Sequence, residues 1–299
     1  LTGTPTFALG GAGFLGLGRR ADASIAVAGI PLDLGTTNRS GARFGPSAIR
    51  QASRMLVDGA HPVHWTEPGA AAIADRGDFA IALGDLGASL TRIEAQAADE
   101  PHLLALGGDH AVTLPLLRAA ARRHGKLACA HFDAHVDTWP DSFGQIHGHG
   151  SVFRHAIDEG LIDPRRMIQI GIRSPVQREV WDWTIGQGVE IVTATTMQEI
   201  GPAATAARIR ARLGDVPAYL SFDIDALDPA FAPGTGTPEI GGLTTWQAQA
   251  ILRRLVGLRF VGADVVEVAP AYDVAEITAL AAATIAWEYL SLVLAAPRG

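Results

Sequence analysis

Eight short apolar runs punctuate this chain, and none shows the in–out alternation of a half-solvated strand. They are Ser24–Ile30, Ala70–Ala74, His102–Leu106, Leu127–Phe132, Met167–Gly171, Val189–Val192, Ala218–Phe222 and Phe260–Val265. Near-continuous hydrophobicity over so few residues marks strands buried on both faces of a parallel sheet. Segments of helical character lie between them: Pro46–Leu56, Val112–His124, Ser151–Gly160, Pro175–Gly186, Met197–Leu213, Thr244–Val256 and Ala275–Leu294. Pro46 and Pro175 suit first-turn positions, and Thr244 is an N-cap candidate ahead of Gln247. Gly125, Gly160 and Gly214 stand where helices would end. The order predicts an α/β fold with helices on both faces of the sheet.

Composition narrows the function classes. The 299 residues carry 24 Lys plus Arg against 31 Asp plus Glu, a formal charge of −7, and 48% are apolar. A disordered chain would be poorer in apolar residues and richer in charge. An acidic balance without a dense basic tract argues against nucleic-acid or anionic-membrane partners. No uninterrupted apolar stretch reaches the ~18 residues of a spanning helix. The single cysteine, Cys129, allows neither an internal disulfide nor a thiolate cluster, so a reducing, cytoplasmic setting is expected. Leu1–Gly18 lacks the basic start of a secretory signal. No linker-like segment divides the chain, so one domain is expected over residues 1–299, with 1–23 as an N-terminal extension. Asp33–Gly45, Thr138–Gly150 and Asp228–Gly242 read as long loops, the usual carriers of function.

In an open parallel sheet, ligands bind beyond the carboxyl ends of the strands. Three motifs fall there: Gly107-Gly108-Asp109-His110, Asp133-Ala134-His135-Val136-Asp137, and Asp223-Ile224-Asp225. A spacing of two puts Asp133, His135 and Asp137 on one face of an extended backbone. Asp223 and Asp225 repeat the arrangement. Carboxylates so close, at the end of a buried strand, repel unless a cation or proton lies between them. Carboxylates and imidazoles without thiolates suit Mn²⁺, with Ni²⁺, Co²⁺, Fe²⁺ or Zn²⁺ as alternatives. With His110 there are six candidate ligands, enough for two metals if some carboxylates bridge. A lone Asp-x-Asp would more simply be a turn or cap; three such motifs at separate strand ends make a metal site the better reading.

From about Ile25 to Leu294 the sequence resembles the ureohydrolase (arginase/agmatinase) family. The resemblance rests on Gly29-Ile30-Pro31, Gly41–Pro46 with Ile49-Arg50, Gly107–His110, His131–Asp137, Ser221–Pro229, Gly234–Glu239 and Asp264–Pro270. It implies a three-layer α/β/α fold with a central, mainly parallel eight-stranded sheet. It also implies a binuclear manganese centre and hydrolysis of a guanidino group to urea and an amine. By the resemblance, His110 and Asp137 serve the first metal, His135 and Asp225 the second, and Asp133 and Asp223 bridge. Glu267 is then the residue that orients the guanidinium, a role for which a carboxylate's two acceptors suit paired N–H donors. Asp264 would stand behind the ligands. His147-Gly148-His149-Gly150-Ser151 resembles the agmatinase pattern His-Gly-Thr, which makes His149 the acid/base histidine, with His147 competing. Arg43 and Phe44 take scaffold or subunit-contact roles.

The remaining expectations concern substrate and assembly. Trp139, two residues after Asp137, is a candidate for packing on a substrate tail; the other tryptophans read as core or interface aromatics. The Ala271–Leu280 stretch resembles the agmatinase branch, so agmatine is the first substrate, and the acidic balance and Asp141 suit a cation. Guanidinobutyrate, guanidinopropionate, guanidine or a biguanide would use the same residues. The segment Asp58–Asp78, with His61, Pro62, His64 and Trp65, is less typical and keeps that question open. The family forms trimers or hexamers. Rival readings are a non-catalytic subunit supporting a paralogue in a hetero-oligomer, and a single-zinc deacetylase, which the full ligand set disfavours. A dehalogenase-type phosphatase would carry its Asp-x-Asp after the first strand, unlike this chain.

Overall fold

A computed structural model describes residues 13–296. Its strands are β1 (Ile25–Gly29), β2 (Ile73–Asp78), β3 (Leu103–Leu106), β4 (Leu127–Phe132), β5 (Ile162–Ile172), β6 (Glu190–Thr193), β7 (Ala218–Asp223) and β8 (Phe260–Val266). Its helices are α1 (Gly45–Ala52), α2 (Leu86–Ala98), α3 (Thr113–His124), α4 (Val152–Asp158), α5 (Arg178–Gly186), α6 (Ala194–Leu213), α7 (Thr245–Leu252) and α8 (Ile277–Ala295). The eight strands form one sheet in the order β2-β1-β3-β8-β7-β4-β5-β6, and every pairing is parallel.

Both faces of the sheet are covered, which is why the strands read as unbroken apolar runs. Along β4, Ala128, Ala130 and Phe132 enter one core with Ile209, Ile251 and Leu290 of α6, α7 and α8. Leu127 and Cys129 enter the other with Ile93, Leu117 and Ala156 of α2, α3 and α4. The arrangement is three-layer α/β/α, as expected. Thr244 caps α7 in a reciprocal box with Gln247. Gly125 and Gly214 end α3 and α6 at positive φ.

Three expectations change, and α8 needs a separate account. Helix α2 was not expected, yet Leu86, Leu90, Ile93 and Ala97 are buried at helical spacing and Asp85 caps Ala88 N at 2.9 Å. Strand β2 begins three residues after Ala70, because Pro68–Ala70 forms a 3₁₀ turn and the strand runs on through polar Asp75–Asp78. It lies at the sheet edge, where one side needs no apolar cover. Strand β5 starts at Ile162 and passes a register shift before Met167. Finally, α8 is long and apolar enough to cross a membrane by composition, but 72% of that window is buried inside the protein. Its one charged residue, Glu288, is held by Arg253 and His61.

His61 anchors the atypical Asp58–Asp78 segment on α8, stacked on His64 and packed at a tilt against Trp287. Glu288 and Trp287 tie that segment to α8 by hydrogen bonding and packing. Of the tryptophans, Trp287 is buried, whereas Trp65 and Trp246 are exposed.

Candidate active site

The four strands that carry the candidate residues, β3, β8, β7 and β4, are consecutive neighbours in the sheet. Their carboxyl ends bring His110, Glu267, Asp223 and Asp133 together. The Gly-Gly before His110 has a steric cause: a Cβ on Gly108 would lie 1.7 Å from the Leu32 carbonyl oxygen. That approach lets Asp109 N donate to Leu32 O and Glu267 N donate to Gly108 O, both at 2.8 Å.

The extended-backbone account of the two-residue spacing fails. Asp133 Oδ1 accepts from His135 N at 2.6 Å, and Asp223 Oδ1 accepts from Asp225 N at 2.9 Å. Each motif is therefore a side-chain-closed turn. Asp137 reaches the same place through a positive φ of 47°. The residues converge because the chain turns after each strand, not because it continues.

Two nests result, joined by one carboxylate. His110 Nδ1 lies 3.2 Å from Asp133 Oδ2, 3.0 Å from Asp137 Oδ2 and 3.2 Å from Asp223 Oδ2. His135 Nδ1 lies 3.2 Å from Asp133 Oδ1 and 3.1 Å from Asp225 Oδ2. His110 Nε2 faces Ser221 Oγ at 2.9 Å, and Ser221 donates onward to Asp264 Oδ1 at 2.7 Å. Ser221 therefore accepts from Nε2–H, which leaves Nδ1 with a free lone pair. That atom is buried without a hydrogen-bond partner. An orphaned imidazole nitrogen among three carboxylate oxygens fits a divalent cation.

The same carboxylates also favour a proton on Nδ1, the competitor of a cation for that lone pair. Burial disfavours a charged His110, but Asp133, Asp137 and Asp223 outweigh it and push the imidazole well above its usual pKa. Burial, Asp225 and Asp133 hold Asp223 well above the carboxylate range. Burial and the Glu267 charge lift Asp109 to about 7. The cluster carries more negative charge than its own groups relieve.

His131, passed over in the sequence, is fully buried beside this cluster. Its Nδ1 accepts from Gln169 Nε2 at 3.1 Å, so its other nitrogen donates to Asp133 Oδ2 at 2.7 Å. It orients Asp133. Arg173, also missed, directs its guanidinium at six backbone carbonyls, including Asp225 O at 2.7 Å and Glu239 O at 2.6 Å. It ties the end of β5 to the loop whose Thr237 donates to Asp225 Oδ2 at 3.2 Å. Asp264 stands behind His110 through Ser221 and also accepts from Thr113 and Tyr219.

Glu267 is 1% exposed and has a φ of 65°. Its Oε1 accepts from His110 N at 2.8 Å and pairs with His149 Nδ1 at 2.9 Å. Its Oε2 is buried with no partner. His149 Nε2 meets Thr37 Oγ1 at 2.7 Å. His147 turns aside and packs edge-on to His155 at 4.8 Å. Burial opposes charge on His149, but Glu267, then Asp137 and Asp109, raise its pKa to about 9.

That shift sets a stability signature. The raised pKa means the His149–Glu267 pair contributes fully below the unfolded value of 6.5 and fades as pH rises through about 9. In metal-free protein, the melting-temperature gap between the parent and His149→Ala should therefore be largest near pH 6 and close towards pH 10. A gap independent of pH would contradict the pairing.

A cavity of about 490 Å³ opens over the cluster, lined by His135, Asp137, Asp223 and His149 and walled by Trp139, Pro140, Phe143 and Pro175. Trp139 is held there by donating from Nε1 to Gln177 Oε1 at 2.6 Å. Arg43 pairs with Asp33 away from it, and Phe44 is exposed.

Comparison with known proteins places the sequence and fold. The arginase family profile covers residues 23–291. An agmatinase from Photorhabdus laumondii is 46% identical over 278 residues, 91% of this chain and 88% of that protein. A hypothetical agmatinase from Burkholderia thailandensis has a TM-score of 0.89 at 44% identity, covering 96% of this chain and 92% of the other. Proclavaminate amidino hydrolase from Streptomyces clavuligerus has a TM-score of 0.92 at 40% identity, covering 98% and 100%. With its all-parallel sheet and its Asp/His cluster at the strand ends, this chain belongs to the arginase family of metal-dependent amidinohydrolases.

Proposed function

We propose that the chain hydrolyses the guanidino group of agmatine to urea and an amine at a two-metal centre. The observation that carries this reading is the pair of nests sharing Asp133, set beside a Glu267 oxygen that is buried and unpartnered. His110 and Asp137 would hold one ion, His135 and Asp225 the other, with Asp133 and Asp223 between them. Mn²⁺ suits the donor set, and Ni²⁺, Co²⁺ or Zn²⁺ are alternatives. When bound, two such ions supply a water ionised near neutral pH. Glu267 Oε2 accepts the N–H groups of the guanidinium and fixes its plane. His149 holds a proton beside that group and gives it to the departing amine, which leaves poorly as an anion. Homology to agmatinases supports the amine-tailed substrate.

The test is a urea-release screen over guanidino compounds with Mn²⁺ and Ni²⁺ supplied separately; release from none would end the proposal. Ser221 offers a check on the metal half alone. Ser221→Ala removes the acceptor that fixes the His110 tautomer, so divalent affinity should weaken about 10–100-fold by calorimetry. Unchanged affinity would remove His110 from the ligand set. The proposal extends to a single catalytic domain, a cytoplasmic setting, and a homotrimer or homohexamer. Light scattering of the purified chain would read the assembly directly.

A further inference from the structure

We propose that Asp141 is the specificity residue that receives the cationic tail of the substrate, an inference that rests on the guanidino-hydrolase reading above. The cavity lining contains four titratable groups of the metal and proton-transfer cluster, His135, Asp137, His149 and Asp223. Beyond these its one charged side chain is Asp141, and among the described residues no Lys or Arg lines it. The rest of the lining is apolar at Trp139, Pro140, Phe143 and Pro175 and otherwise uncharged, with Thr37, Ser142, Ser174, Gln177 and Thr237 among it. The cavity therefore joins an acidic cluster, apolar wall and one further carboxylate. A molecule with a guanidinium at one end, methylenes in the middle and an ammonium at the other matches that set of surfaces. A carboxylate tail meets like charge and finds no cation to answer it.

The carboxylate is also held in place. Asp141 Oδ1 accepts from Gly144 N at 2.7 Å. The turn it caps is closed by Ser142 N to Gln145 O and Gln145 N to Ser142 O, at 2.9 and 3.0 Å. Ser142 Oγ in turn accepts from Gly150 N at 3.0 Å, next to His149. Phe143 stands at the mouth with a φ of 53° and 95% exposure. A left-handed aromatic kept in solvent is backbone strain at a functional rim. The turn thus fixes the separation between Asp141 and the His149–Glu267 end of the site, a ruler for the distance between the two cationic groups.

Asp141→Asn tests the charge while keeping the Gly144 cap, since the amide oxygen still accepts. Three substrates with a four-carbon chain are compared: agmatine, 4-guanidinobutyrate and uncharged butylguanidine. In the variant, KM for agmatine should rise about fivefold relative to butylguanidine and KM for guanidinobutyrate should fall by a similar factor, with both shifts shrinking at high salt. Using the ratio within one protein cancels any damage to the turn. Asp141→Lys should carry the preference over to guanidinobutyrate. If the parent releases urea from agmatine but the variant keeps the parent's ratios, the tail assignment falls and the chemistry stands. If the parent releases urea from none of the three, the functional reading itself falls.

Discussion

Asp133→Asn should leave a folded chain that binds fewer than two divalent ions and releases urea on the order of a thousandfold more slowly, ~4 kcal/mol of lost transition-state stabilisation. The amide oxygen can still accept from His135 N, so the turn after β4 survives. What disappears is Oδ2, the oxygen 3.2 Å from His110 Nδ1 and 2.7 Å from His131 Nε2. An NH₂ group there offers no lone pair and opposes the His131 N–H. Elemental analysis of the dialysed protein and a urea assay read the two effects separately. Two tightly held metals with normal turnover would show that Asp133 does not join the nests.

Glu267→Gln should do the opposite: keep the metals and lose the substrate. The amide oxygen can replace Oε1 towards His110 N, which holds the first nest in shape. The amide nitrogen then occupies the place of the unpartnered Oε2 and meets guanidinium N–H groups donor to donor. A buried cation deprived of its counter-charge costs about 3–5 kcal/mol. kcat/KM should fall by on the order of a thousandfold, with metal content unchanged. Parallel loss of metal would make Glu267 part of the ligand scaffold instead of the guanidinium clamp.

Much of this site was legible because its residues sit where chemistry interrupts hydrophobicity. His110, Asp133, Asp223 and Glu267 each follow an apolar run with little or no interval, and a parallel sheet delivers such positions to one edge. The reason assigned to the two-residue spacing was wrong, since local turns closed by Asp133 and Asp223 override extended alternation. Helix α2 escaped because Gly87 and Ser89 dilute a pattern that Leu86, Leu90, Ile93 and Ala97 nevertheless keep. Strand β2 was displaced because an edge strand tolerates Asp75, Arg76 and Asp78. Arg173, His131 and Thr37 act through contacts 112 residues apart in one case and through backbone carbonyls in another. No local pattern encodes those. Asp141 was visible as a charge, but its isolation in the cavity is a property of what surrounds it.

The place of β8 in the sheet has a consequence for how the protein assembles. The last strand in chain order among the described residues, β8, is inserted between β3 and β7, which do not pair with each other. Without it the sheet would be two pieces, β2-β1-β3 and β7-β4-β5-β6. His110 belongs to the first and Asp133, His135, Asp137, Asp223 and Asp225 to the second. β8 joins them by backbone pairing, by the Asp264 carboxylate reaching Thr113 on one side and Ser221 on the other, and by Glu267 closing on His110 across 157 positions. Without β8, five of the six candidate ligands lie on one piece of the sheet and His110 on the other. β8 is the keystone of the sheet, and divalent-ion binding at the proposed centre would report that it is in place.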